Sequence, residues 1–157
     1  MIEKNNCLGI PIRYDPDAAA IVDSTGLLKK EIVVSRAFFA LAPREQGAFL
    51  LHEAGHCKCN HARKLAWFIL RSPRRVWRFL RCAKECSKMS EAEFFKEVAA
   101  RIPELAAYRI AQEFEADRFA AGCGYGGDLA RAFGRLKSGE GPFHPPLSLR
   151  IARLVGG

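Results

Sequence analysis

The 157-residue chain combines 49% hydrophobic with 27% charged residues, the balance of a folded globular protein and outside the range of a disordered or low-complexity one. Its length suits one domain, residues 1–157, with a real hydrophobic core, and leaves no room for two ordinary ones. The formal net charge of +8 is concentrated, since Lys58 to Lys84 carries nine Lys or Arg residues and no Asp or Glu. An export signal needs an unbroken apolar run of roughly 7–15 residues, and the opening MIEKNNCLGIPIRYD has none. A membrane helix needs about 20 mostly apolar residues, and the longest apolar stretch is interrupted by Arg71, Arg74, Arg75 and Arg78. The chain therefore reads as cytoplasmic and not bilayer-spanning, with Cys7, Cys57, Cys59, Cys82, Cys86 and Cys123 expected as free thiols.

In chain order, residues 18–36 hold two Ile/Val-rich runs around the turn formers Asp23-Ser24-Thr25-Gly26, which predicts a β-hairpin or small meander. From Pro43 the period becomes helical, with proline suited to a first turn, Glu45 favouring an N-terminus and Phe49, Leu50, Ala54 and Cys57 recurring on one face. A helix over about Pro43 to Arg63 follows. A second helical zone covers about Ala62 to Cys86 and breaks near Ser72-Pro73. Ser90-Glu-Ala-Glu is a capping-box pattern, and Pro103 restarts a helix that runs to about Ala121 and ends in Gly122 to Gly127. A helix near Asp128 to Leu136, a loop through Gly139, Gly141 and Pro142, and a last helix from about Pro146 to Leu154 complete an α+β chain. Its small N-terminal β-sheet or hairpin precedes a mostly helical domain.

The strongest chemical signal is His52-Glu53-Ala54-Gly55-His56, an H-E-x-x-H string inside a predicted amphipathic helix. Positions four apart sit about 40° apart around a helix, so both imidazoles can meet one ion. Glu53, about 100° from His52, can reach a water there without being a ligand. Hydrolytic zinc chemistry needs that division: protein ligands, one open position and a carboxylate base. Gly55 gives up roughly 1 kcal/mol of helix propensity, which implies a close neighbour. A third ligand is available in Gln112-Glu113-Phe114-Glu115-Ala116-Asp117, where Glu113 and Asp117 share a helical face and Glu115 points to the opposite side. Glu113 then binds metal, and Asp117 accepts the free N–H of a ligating histidine. Ala116, Ala120 and Ala121 would let this helix approach Ala54 and Gly55.

IVVSR at 32–36, LLHEAGHCKCNH, EFEADRFAA and FHPPLSLRIARL stand in the order found in the gluzincin peptidases related to HtpX and the CAAX prenyl protease, and the chain resembles them over roughly residues 30 to 154. The resemblance implies a zinc metalloendopeptidase acting on protein or peptide substrates, with His52, His56 and Glu113 as ligands, Glu53 as base and Asp117 behind a ligand. It also implies that His144 stabilises the oxyanion of the tetrahedral intermediate, near Arg150. Many relatives carry membrane helices that this chain lacks, and the substrate-binding edge strand would fall near Asp17 to Val22, where the match is weak.

Other signals point less far. His61 lies five residues after His56 and reads as a helix-end residue rather than a third ligand. Cys57, Cys59, Cys82 and Cys86 lack the C-x-x-C spacing of a structural zinc site. In residues 63–84, Trp67, Phe68, Trp77 and Phe79 alternate with arginines. That pattern reads first as a packed helix with a solvated basic face, next as an anionic membrane surface contact, and last as a nucleic-acid surface, which is not expected. Two rivals to the peptidase reading remain. One is an ImmA/IrrE-like regulatory protease, disfavoured by the HPPLSLRIARL tail. The other is a non-catalytic zinc-stabilised scaffold, disfavoured by an intact Glu53.

Overall fold

The computed structural model describes residues 2–3, 5–18, 20–25, 27–136 and 141–156. Gly26 of the expected turn and Gly139 of the expected loop lie outside them. Among the described residues five short strands, β1 (Ile2–Glu3), β2 (Asn6–Cys7), β3 (Ile10–Tyr14), β4 (Val22–Thr25) and β5 (Glu31–Val34), form one sheet in the order β1-β2-β3-β5-β4. The expected hairpin is the antiparallel β4–β5 pair, with Val22 opposite Val34 and Ser24 opposite Ile32. β3 runs parallel to β5 on its other side, which the sequence did not announce. β2 and β3 are joined by Leu8-Gly9, both at positive φ (53° and 82°), as a tight hairpin turn requires, and Asn6 Oδ1 accepts from the Gly9 N–H at 2.7 Å. A leucine in that region is uncommon, so the turn carries little sequence signal.

Strands β1 and β4 end the sheet order, and of these two edges β4, Val22–Thr25, is the one that lines the cleft. This corrects the edge expected near Asp17 to Val22, of which Ala19 is outside the described residues. The difference follows from pairing: Val22 to Thr25 hold register with β5, whereas residues 15–18 form a turn after β3.

Among the described residues seven helices follow a short 3-10 turn at Arg36–Ala40: α1 (Pro43–Lys58), α2 (His61–Leu70), α3 (Pro73–Glu85), α4 (Glu91–Arg101), α5 (Pro103–Gly122), α6 (Gly126–Leu136) and α7 (Leu147–Val155). Pro43 opens α1, and the Glu45 carboxylate accepts from the Ala42 N–H at 2.9 Å, closing its first turn. The helix expected to reach Arg63 stops at Lys58, because Asn60 adopts the left-handed conformation at φ 56° and the chain restarts as α2. Asparagine tolerates that conformation better than most residues. Ser72 caps α3 ahead of Pro73, and Ser90 with Glu93 forms the expected capping box on α4.

Two apolar cores result. The first joins the sheet to α1, α5, α6 and α7 through Ile32, Val34, Leu50, Ala54, Ala120, Leu129, Phe133 and Leu147. The second, of Cys82, Cys86, Val98, Ile102 and Leu105, lies among α3, α4 and α5. The four cysteines weighed as a zinc site are thereby separated, Cys57 in the first core and Cys82 with Cys86 in the second. Helices α1 and α5 meet at Gly55, where a Cβ would stand 3.1 Å from Ala116 Cα and 3.0 Å from Phe119 Cβ. Among the described residues no helix is long and apolar enough to cross a membrane.

Candidate metal centre

Helix α5 buries Leu105, Gln112, Glu113, Ala116, Asp117 and Ala120 against its neighbours. Three of those six are polar or charged, and in a core such groups persist only when paired. Gln112 donates to the His61 carbonyl of α2, and Glu113 and Asp117 find partners on α1. His52 and His56, one turn apart, bring their Nε2 atoms to 3.2 Å of each other. Glu113 reaches both, with Oε2 3.5 Å from His52 Nε2 and Oε1 3.3 Å from His56 Nε2. Ligands about 2.0–2.2 Å from one zinc ion stand about 3.3–3.6 Å apart at tetrahedral corners. The contacts among the two imidazoles and the Glu113 carboxylate, which offers Oε2 to His52 and Oε1 to His56, fall close to that spacing. Glu53 is not part of the triangle: its Oε1 lies 3.9 Å from His52 Nε2, and it faces the same cleft.

The electrostatics point the same way. Burial alone would push the His52 imidazolium down, but contacts with Asp117 and Glu113 and the charge of Glu53 raise it to about 10. Burial alone would raise the Glu113 carboxyl, yet His52 and His56 hold it well below the ordinary carboxylate range. With no ion among them, these carboxylates draw a proton onto His52; a divalent cation is the natural replacement for that charge.

Support behind the triangle is also built in. Asp117 Oδ1 sits 3.0 Å from His52 Nδ1, close enough for a hydrogen bond though not well aligned as one. Arg150, itself 2% exposed, holds Asp117 with two parallel hydrogen bonds, Nε to Oδ2 at 2.9 Å and Nη2 to Oδ1 at 2.7 Å. Burial would raise the Asp117 carboxyl, but His52 and Arg150 hold it low. Arg150 also approaches Glu113 Oε2 at 3.4 Å and lies over the Phe133 ring at 4.1 Å.

His144 stands at the same cleft with Nε2 3.9 Å from Glu113 Oε1, and burial lowers its imidazolium pKa. The cleft, of about 550 Å³, runs from β4 (Val22, Asp23, Ser24) past Glu53 to Phe95 and Arg109. Arg109 is a residue that the sequence reading did not single out; its Nη2 lies 3.7 Å from Glu113 Oε1.

The sequence placed His61 at the end of the helix expected to reach Arg63; with that helix ending at Lys58, His61 is instead the first residue of α2. It is outside the His52–His56–Glu113 group but is far from inert. His61 is 1% exposed, with Nδ1 2.8 Å from His56 Nδ1 and Nε2 3.0 Å from Glu115 Oε2. Burial first, and then the neighbouring His56, push its imidazolium down to about 4. Glu115 does turn away from Glu113, but onto His61 rather than into open solvent. That contact was hidden because a helix continuous through Asn60 would have carried His61 away from His56.

The sequence profile of peptidase family M48 matches residues 13–156, which takes in the end of β3, β4, β5 and α1 to α7. No curated protein and no solved structure gives a significant match.

Proposed function

The chain belongs to peptidase family M48 and is a zinc-dependent peptidase acting on protein or peptide substrates, and on that premise we propose that His52, His56 and Glu113 hold the ion, Glu53 is the general base and Asp117 orients His52. The reading is supported above all by the clustering of His52 Nε2, His56 Nε2 and the two Glu113 carboxylate oxygens through contacts of 3.2 to 3.5 Å, beside a carboxylate that is free of that group. A bound zinc supplies Lewis-acid polarisation of the scissile carbonyl and a lowered pKa for the attacking water. Glu53 takes the water's proton and delivers it to the leaving amine, a role its place at the cleft permits without loss of a ligand. His144 donates toward the oxygen on which charge develops. An extended substrate would pair with the edge of β4 and so lay its backbone along the cleft.

Within the family, the order of motifs favours the branch related to HtpX and the CAAX prenyl protease, in a minimal version folded as one domain over residues 1–157. A reducing, cytoplasmic setting accords with six unpaired cysteines. Nucleic acid is not proposed as a partner. An anionic membrane surface is, through residues 63–84, because Trp67, Leu70, Trp77 and Leu80 are all about 60% exposed among arginines. The deciding experiment measures zinc content and hydrolysis of an unfolded protein substrate together, in wild type and in Glu53→Gln.

A further inference from the structure

Two groups of metal-binding side chains lie side by side: His52, His56 and Glu113, and beyond them Cys59, His61 and Glu115, whose donor atoms also come within 4.8 Å of one another. They are joined through one contact, the 2.8 Å approach of His56 Nδ1 and His61 Nδ1. Two nitrogens at that distance share one hydrogen, so one ring donates and the other accepts.

Proton placement decides what the second group does. If His56 binds an ion through Nε2, a neutral ring carries its hydrogen on Nδ1 and donates it to His61 Nδ1. His61 then carries its own hydrogen on Nε2 and donates it to Glu115 Oε2, 3.0 Å away. Lys64 Nζ, 3.5 Å from Glu115 Oε1, balances that carboxylate. Every atom in the chain has a compatible role. The opposite assignment, His61 Nε2 ligating a second ion beside Cys59, places hydrogen on His61 Nδ1. His56 Nδ1 would then have to accept, and its hydrogen would move to Nε2, into the first site. Neutral imidazoles cannot serve both sites at once.

We propose that His61 and Glu115 are a positioning pair for the metal ligand His56, as Asp117 and Arg150 are for His52, and that Cys59, His61 and Glu115 do not form a second metal site. The proposal rests on His56 being a ligand. The fold supports a fixed arrangement: the left-handed Asn60 turns α2 back over α1, and Gln112 Nε2 donates to the His61 carbonyl at 3.1 Å, tying the start of α2 to α5.

The direct test is long-range 1H–15N correlation of the histidine rings in the zinc-loaded wild-type protein, which needs no variant. The expected result is hydrogen on Nδ1 of His56, with its Nε2 shifted by zinc, and hydrogen on Nε2 of His61. Zinc-shifted His56 with His61 hydrogenated at Nδ1 overturns the proposal, whereas His56 without a zinc shift overturns the ligand assignment beneath it. Chelator competition gives an independent readout. His61→Phe should weaken zinc retention by about 10- to 100-fold, and His61→Asn, whose carbonyl can take the place of Nδ1 as acceptor, should recover part of the loss. Glu115→Ala, at a half-exposed position that spares the core, should weaken retention more mildly, and Cys59→Ser should leave it unchanged. Unaltered retention in both His61→Phe and Glu115→Ala, or two zinc ions per chain falling to one in Cys59→Ser, also overturns it.

Discussion

Gly55 and Ala116 set the distance between the helix that carries two metal-binding histidines and the helix that carries Glu113. A Cβ on residue 55 would lie 3.1 Å from the Ala116 backbone and 3.0 Å from Phe119 Cβ, and Gly55 lies between His52 and His56 in the same turn of α1. Backbone cannot move aside as a flexible side-chain end can.

Gly55→Ala should therefore destabilise the protein even though alanine favours helix by about 1 kcal/mol. Overpacking of this kind costs about 1–3 kcal/mol, so the net effect is small in stability. The larger effect falls on the site, because helices forced apart withdraw Glu113 from His52 and His56. Thermal melts with and without zinc, beside a chelator titration, should show zinc affinity falling further than apo stability. A Gly55→Ala protein with wild-type zinc affinity would mean that the close approach does not set the ligand spacing.

Removing the base separates catalysis from binding. Glu53→Gln should keep its zinc and its fold while proteolysis falls by on the order of 10²-fold or more, since general-base catalysis is typically worth 10² to 10⁴. Glu113→Ala should lose the zinc. His144→Ala should retain the ion and slow turnover by an amount comparable to about 3 kcal/mol, the typical worth of an oxyanion donor. Metal content by mass spectrometry and kcat on one substrate decide among these. Wild-type cleavage by Glu53→Gln at equal zinc would favour the scaffold reading instead.

What could be read in the sequence was whatever a single helix encodes. The four-residue spacings His52–His56 and Glu113–Asp117 and the glycine at 55 follow from helical phase: His52 stands beside Glu113 and Asp117, and Gly55 meets Ala116, with Phe119 rather than Ala120 or Ala121 as its other near neighbour. The proline and serine punctuation at Ser72-Pro73, Ser90 and Pro103 likewise appears as helix starts. The parts that were not legible depend on one backbone state or on distant pairing. A left-handed Asn60 turned a supposed helix end into the neighbour of a metal ligand. The parallel pairing of β3 with β5 joins segments about 20 residues apart, which local periodicity does not encode. Arg109 lies one turn before Glu113, so the same helical rule would have found it.

The metal-free site has a definite pH dependence. The His52 value, about 10, is above its ordinary 6.5, so its contribution to folded stability is fully present below pH about 6.5 and is lost as pH rises toward 10. Glu113 and Asp117 are held low, so theirs is present above the ordinary carboxylate range and is lost as pH falls. Zinc must displace the His52 proton. Its apparent affinity should therefore rise about tenfold per pH unit, or about 1.4 kcal/mol, between pH 6.5 and 8. Calorimetry in two buffers of different ionisation enthalpy should find about one proton released per zinc; zero release would remove His52 from the ligand set.

The basic segment is open to an unusually clean test, because the only two tryptophans of the chain, Trp67 and Trp77, both lie in it. They are 65% and 59% exposed, and Leu70 and Leu80 beside them are 62% exposed. Phe68 and Phe79 instead pack against the second core, so the segment has one face turned inward and one left to solvent. The arginines divide in the same way. Arg78 is engaged with Glu104 and the Arg101 carbonyl, and Arg75 stacks on Phe68 at 3.8 Å, whereas Arg71 and Arg74 form no ion pair among the described residues. Aromatic rings with free cations suit the headgroup level of an anionic leaflet, where each cation contributes about 1 kcal/mol. Intrinsic fluorescence should shift to the blue on adding phosphatidylserine-containing vesicles at low salt, and much less with phosphatidylcholine alone. Arg71→Ser with Arg74→Ser should weaken that binding by roughly 30-fold, the equivalent of about 2 kcal/mol, and leave hydrolysis of a small soluble peptide unchanged, since neither residue lines the cleft. If the tryptophan emission of the wild type is indifferent to anionic vesicles, the exposed face is only a solvated surface and the membrane role falls, with the peptidase assignment untouched.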